Sequence, residues 1–473
     1  MPPAHAPWLG RIAAAFLAAS FLGGCTGAAM LNKPLPQEAL ATGGAGPISH
    51  GGYRPLGFKQ NSTPEALVLV AFSGGGKRSA AFGYGVLKGL RDYPVTLDGK
   101  PQSLLSMLDM TASVSGGSFP AAYYGLYRDK IFTDFDKDFL SQDVESYIWG
   151  TYLLPWRLGW AFTSHYGTND RMAEVYDDLM FHGATFADLE SKGRPFVSID
   201  ATDVDHETAF PFMQDQFDLI CSDLTSYPIA RAVAASNGFP VIFTPITLKS
   251  YRPDCGSREP AWIRADTSSD PLDRVHQEAE IARKYLDADA TKWVHLMDGG
   301  ISDNLAMREM LNIVMVITGE ETTERKFDLT HLRRIILISA DGQAANTGQT
   351  AKERDLSSLG QIFSAVSGTQ IDSYNFETMI LAKQVIDKLQ DAVKTQRCAQ
   401  GPIAADGRPC GDVQSFFAHL SLSGVTDPKE REYLQRIPTG LTIDKPDVDR
   451  LVNAGQTQVM TSRDIQAFRD SLK

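Results

Sequence analysis

No long run of lysine or arginine occurs in these 473 residues, and the formal net charge is −12. The chain therefore has no electrostatic footprint for nucleic acid, which needs a clustered basic surface. It also has no polybasic segment to hold a strongly anionic membrane surface. The apolar run at the N-terminus, "IAAAFLAASFLGG" (12–24), is shorter than the roughly 20 residues a spanning helix needs. Cysteine is scarce, five in all, and no two are spaced CxxC, so a zinc site is not expected. No internal repeat is found. What is present is ordinary globular composition, 43% hydrophobic and 22% charged. The length suits one large domain or two to three smaller ones.

The first 24 residues carry one charged side chain, Arg11, ahead of that apolar run, and read as a secretory signal peptide. The run stops at Leu22-Gly23-Gly24-Cys25, which resembles the lipobox of bacterial lipoproteins. The resemblance implies an acylated Cys25 as new N-terminus and export to the bacterial cell envelope. With Thr26 rather than Asp after the cysteine, it implies anchoring in the outer membrane. A plain signal peptide with a chance cysteine is the alternative. Losing Arg11 would take the charge from −12 to −13. Four cysteines would remain, an even number that permits two disulfides in an exported chain. Cys398 and Cys410 bracket a short polar loop, whose closure is worth about 3 kcal/mol in the chain-entropy model. Cys221 with Cys255 would be the second pair.

Residues 25–62 are rich in Gly, Pro and Ala, and read as a flexible tether. Beyond them apolar runs alternate with helical patterns. Strands are expected at 66–73, 108–114, 196–204, 208–213, 292–300 and 333–342. Helices are expected at 79–92, 118–130, 228–238 and 377–396. This alternation predicts an α/β fold with a mostly parallel central sheet covered by helices on both sides. Insertions are expected near 140–170 and 250–291 of a domain spanning 63–345. A mainly helical extension, 346–473, would pack on it.

Three stretches carry chemistry. "AFSGGGKRSAAFGYGVL" (71–87) puts Gly74, Gly75 and Gly76 between a strand and a helix. It is not a Walker loop, since Ala71 stands where the first Gly should be and Arg78 follows Lys77; Ser79 likewise breaks GxGxxG. What remains is a loop of bare amides able to face one anion, with Lys77 and Arg78 adding positive potential beside a helix N-terminus. A tight strand-to-helix turn would explain part of the same pattern. In "DMTASVSGGSF" (109–119), Ser115 follows a buried strand and precedes a helix, with Gly117 downstream and Ser113 where an elbow usually has glycine. Packing alone also produces such turns. In "LMDGGISDN" (296–304), Asp298 ends a strand ahead of Gly299 and Gly300. That places a carboxylate where active sites gather in parallel sheets, though Asp before Gly is also common in plain turns.

In combination and in this order, the three stretches resemble the patatin-like phospholipase family, with its G-G-G-[RK] loop, G-x-S-x-G elbow and D-G-[GA] motif. "RAVAASNGFPVIFTP" (231–245) resembles the family's block between elbow and aspartate. The likeness covers roughly 66–345 and departs at Ser113. It implies a three-layer α/β/α domain in which Ser115 is the nucleophile and Asp298 its general base. Gly74, Gly75 and Gly76 would be the oxyanion donors, and neither metal nor other cofactor is needed. It implies a membrane-anchored lipid acyl hydrolase, with phospholipid or lysophospholipid esters as substrate, working through an acyl-enzyme. No protein partner is indicated. Two alternatives stay open. One is a Ser-His-Asp esterase using His331 or His419, His295 pointing to the other strand face. The other is a non-catalytic envelope lipoprotein binding lipid or a partner. Trp149, Trp156 and Trp160 (in 146–167) read equally as an interfacial cap and as a core helix pair.

Overall fold

Ala66–Phe72, an unbroken apolar septet, forms the first strand, β1, of an eight-stranded sheet in the computed structural model. Described are residues 30–36, 52–55, 65–97, 99–152, 166–240, 242–255, 259–318, 329–344 and 359–472. Cys25 and the signal segment lie outside them, as do Trp156 and Trp160. The remaining strands are β2 (Leu108–Val114), β3 (Phe196–Asp203), β4 (Thr208–Pro211), β5 (Ile246–Lys249), β6 (Trp293–Met297), β7 (Arg334–Asp341) and β8 (Gln414–Ser421). Helices that bear on the site are α1 (Gly76–Asp92), α2 (Ser118–Tyr127), α3 (Thr168–Tyr176), α4 (Ile229–Ser236), α5 (Leu359–Cys398) and α6 (Lys445–Thr461).

The strand order is β8-β7-β1-β2-β3-β6-β5, with β4 paired to β3. The five strands from β8 to β3 are parallel, whereas β6 runs antiparallel to both β3 and β5. The result is a mostly parallel sheet covered by helices, an α/β/α domain. Parallel strands buried on both faces need apolar residues at nearly every position. β1 has that composition throughout and β7 over Ile335–Ile338, whereas β2 carries Asp109, Thr111 and Ser113 among its apolar residues.

Register determines what meets at the carboxyl edge. Phe72 pairs with Ser113, and Val114 with Asp200, so β1 and β2 end within one residue of each other beside Asp200, while β3 runs on to Asp203. β6 arrives from the opposite direction, with Met297 paired to Thr202. Its next residues therefore run back toward Asp200 and the end of β2. An antiparallel strand thus delivers Asp298 to the edge from which the parallel strands deliver the other groups.

One expectation needs correction. Parts of the supposed tether are docked. Lys33 and Pro34 pair with Asp223 and Ser222, Leu35 packs with Cys221 and Cys255, and the fully buried Tyr53 stacks on Phe196 at 4.5 Å. An aromatic ring and an apolar residue among glycines and prolines suffice to anchor such a segment by burial. The described part of the region after 345 is mainly helical and also supplies β8, a sheet edge parallel to β7. Cys221 is disulfide-bonded to Cys255, and Cys398 to Cys410.

α1 and α6 meet backbone to backbone. A Cβ added at Gly85 would stand 2.1 Å from the carbonyl oxygen of Val452, and one at Gly455 2.3 Å from that of Phe82. No rotamer change relieves a clash with a carbonyl, so the helices would have to separate. Gly85→Ala should cost about 3 kcal/mol in urea denaturation. Were the space open, the same change would stabilise the helix by up to about 1 kcal/mol, so the sign of the measured change decides the matter.

Candidate active site

Ser115 takes the first position after β2, with φ +51°, a conformation non-glycine side chains seldom adopt. It opens a single tight turn, Ser115–Gly117, that leads into α2. The turn is held by its own amide, since Ser115 N–H donates to Ser236 Oγ (2.8 Å), and Ser236 Oγ–H donates to the carbonyl of Asp200 (2.6 Å). Gly117 is demanded by space rather than by backbone angle. Its φ is −67°, but a Cβ there would lie 2.5 Å from Phe72 O. A Cβ at Gly116 would lie 1.9 Å from Gly76 O. At the other flank no glycine is required. Ser113 is still inside β2, and its hydroxyl donates to Ser198 O across the sheet (2.8 Å).

The Ser115 hydroxyl faces two acceptors, Asn237 Oδ1 at 3.0 Å and Asp298 Oδ2 at 3.2 Å. Both residues, like Ser115, are buried. Asp298 is fixed on its other side by the Gly300 amide, which donates to Oδ1 (2.8 Å), and along its backbone by Gly238 O and Thr202 Oγ1. Burial pushes the Asp298 carboxyl up to about 6; the hydrogen bonds from Gly300 and Ser115 oppose that rise. Gly299 packs with the place of its missing side chain 2.2 Å from Asp200 O, and Gly300 abuts Asn304 Oδ1 and Asp298 Oδ1. These two glycines let the aspartate loop close onto the strand ends.

The glycine loop needs one correction. Gly74 is not available as an oxyanion donor, because its amide donates to Asn304 O (2.9 Å). Its missing side chain instead makes room for Asn304 Oδ1, which a Cβ would meet at 2.3 Å. Gly75 (φ +135°) and Gly76 (φ +62°) both lie in the region glycine favours. They open α1, where amides have no intrahelical acceptor and the helix end is electropositive.

Lys77 and Arg78 turn away from Ser115. The Lys77 ammonium donates to Gln142 O and sits 5.1 Å from the Phe139 ring centre; burial lowers it to about 8. Arg78 donates to Gly342 O and Ile437 O and is likewise lowered, to about 10, by burial. Their cations pin the loop to its surroundings. The Lys77 amide adds a bond to Gly440 O.

The histidines lie elsewhere. His419 is on β8, three strand spacings (about 14 Å) from β2, and touches Ser339 Oγ at 3.2 Å. His331 precedes β7 at the sheet's amino edge, opposite to Ser115. His295 pairs with Asp205. Among the described residues, no three or more His, Cys, Asp or Glu gather as metal ligands.

Three contributors were not singled out from the sequence. Ser236, Asn237 and Asn304 all stand in motif stretches, and a polar pair closing an apolar helix ("AASNG") was the available signal. A fourth, Tyr176, accepts from Asn237 Nδ2 at 3.0 Å and had no local signal.

A family model described as patatin-like phospholipase matches residues 70–311, just over half of the chain. No curated protein matches. Among solved structures, human GIVD cytosolic phospholipase A2 is similar at 12% identity and TM-score 0.38, covering 86% of this chain and 63% of that one. The same human enzyme in complex with methyl gamma-linolenyl fluorophosphonate gives 11%, 0.39, 88% and 61%. VipD from Legionella pneumophila gives 11%, 0.29, 86% and 67%. The chain thus spans a little under two thirds of the human chains.

Proposed function

This chain belongs to the patatin-like phospholipase family, and from that premise we propose that it is a lipid acyl hydrolase working through Ser115 and Asp298. Its substrates are carboxylic esters of phospholipids or lysophospholipids. Acylated Cys25 holds it at the outer membrane of a bacterial envelope. The reading is supported above all by the 3.2 Å contact between Ser115 Oγ and Asp298 Oδ2, with no group between them.

In the forward step Asp298 takes the Ser115 proton as Oγ attacks the ester carbonyl carbon. A buried carboxylate is a stronger base than an exposed one, and at about 6 it is still ionised at neutral pH. The developing oxyanion meets the amides of Gly75 and Gly76, donors of a kind worth about 10²–10³ each in rate. Asp298 passes the proton to the leaving alcohol, and the acyl group stays on Ser115 until water removes it. The positions of His331 and His419 lend no support to a histidine triad.

Purified protein given phosphatidylcholine and lysophosphatidylcholine vesicles should release free fatty acid. Because Asp298 must be ionised to act, kcat/KM should rise about tenfold per pH unit below about 6 and level off above it. A pH-independent rate between pH 4.5 and 8 would contradict Asp298 as base. Absence of fatty-acid release, together with failure of a fluorophosphonate to label Ser115, would favour a lipid-binding lipoprotein instead.

A further inference from the structure

Ser115 Oγ has one proton and two acceptors within reach, Asn237 Oδ1 (3.0 Å) and Asp298 Oδ2 (3.2 Å). The hydroxyl can satisfy only one at a time, and a buried acceptor left without a donor is costly. Neither acceptor is free to turn away. Asn237 closes α4, with its backbone N–H on Val233 O and Ala234 O, and its Nδ2 donates to Tyr176 OH at 3.0 Å. Tyr176 is fully buried, edge-on to Phe119 at 4.8 Å. Asp298 is held by the Gly300 amide on its other oxygen. Two oxygens from separate elements are thus aimed rigidly at one point.

That arrangement suits the second half of the reaction better than the first. Once Oγ is acylated it has no proton, and both acceptors face an ester oxygen. A water molecule carries two O–H donors, one for each. We propose that Asn237 is a positioning residue that, with Asp298, orients the deacylating water and thereby favours water over alcohols as the acyl acceptor. This rests on the acyl-enzyme reading above.

The water oxygen attacks the acyl carbon while one of its protons passes to Asp298 Oδ2. The other proton, hydrogen-bonded to Asn237 Oδ1, stays on the oxygen that becomes the fatty-acid hydroxyl. The tetrahedral intermediate then collapses, the bond from carbon to Oγ breaks, and Asp298 returns its proton to Oγ. An alcohol has a single O–H. It can engage Asp298 but leaves Asn237 Oδ1 without a donor, which is the physical origin of the discrimination.

The test is stopped-flow hydrolysis of p-nitrophenyl butyrate by the full chain, with product partition measured in added methanol. Asn237→Ala is expected to keep a p-nitrophenol burst equal to the enzyme concentration. Its steady-state rate should fall about 10- to 100-fold, and its ratio of methyl ester to free acid should rise about tenfold. Burst rate and turnover falling together would overturn the proposal, as would an unchanged ratio. Tyr176→Phe keeps Asn237 but removes the partner of its amide nitrogen. It should shift the partition the same way by about threefold, and if Asn237→Ala fails to fold, an unchanged ratio in Tyr176→Phe overturns the role. Ser115→Ala, run in parallel, separates the two ideas. Wild-type-like p-nitrophenol release there would defeat the serine reading itself, whereas loss of release there, with an unaltered partition in the Asn237 and Tyr176 variants, would defeat only the role of Asn237.

Discussion

Ser115→Ala is expected to lower fatty-acid release by about 10⁴–10⁶, the scale at which losing a nucleophile leaves only binding and oxyanion stabilisation. The loss should be chemical rather than structural. Alanine keeps the Cβ of Ser115, and the amide bond to Ser236 Oγ that holds the turn does not involve the side chain. Removing the hydroxyl strips Asp298 of one of the two donors that oppose its burial, so the carboxyl should hold its proton still more tightly. Two measurements check this together, fatty acid released from lysophosphatidylcholine and the mass added by a fluorophosphonate probe. Substantial activity in the variant, or a label on another residue, would remove Ser115 from the chemistry.

Asp298→Asn should lower turnover by about 10³–10⁴ and, at alkaline pH, make the protein more stable. The sign follows from linkage. The carboxyl goes from its ordinary 3.8 to about 6 on folding, so the folded state binds more protons than the unfolded state between those values. Stability is therefore lost as pH rises through that window, and the cost is complete above about 6. Asparagine carries no charge to bury. At pH 8 the variant should exceed the wild type by up to about 3 kcal/mol, and at pH 4 the two should be close. Thermal melts at both pH values read this directly. A variant less stable than wild type at pH 8 would mean that Asp298 is not held ionised against its surroundings.

The backbone of the site was legible because it rests on local patterns. β2 occupies 108–114 as its apolar run indicated, and β1 ends at Phe72, one residue short of expectation. α1 begins three residues earlier than its periodicity suggested, since Gly76, Lys77 and Arg78 enter its first turn. β6 stops at Met297 because Asp298 and the glycines leave the sheet. Other features depend on partners far along the chain. A run of apolar residues does not say which way a strand points, so the reversal of β6 was hidden. The bond from Gly74 N–H to Asn304 O joins residues 230 positions apart, and nothing near Gly74 announces it. Lys77 and Arg78 suggested positive potential at the loop; only the positions of Gln142, Gly342 and Ile437 reveal where their charges go. Asn237 sat in view within a motif, but its meaning required Tyr176, 61 positions away.

The clasp of α6 on α1, with Gly440 and Ile437 gripping the start of α1, has a bearing on timing. Ser115 and Asp298 are synthesised before residues 437–455, the segment that seats the glycine turn. A nascent chain lacking residues 437–455 therefore has Ser115 and Asp298 but not the contacts that hold Lys77 and Arg78 at the start of α1. The glycine turn can thus be seated only after residues 437–455 have been made.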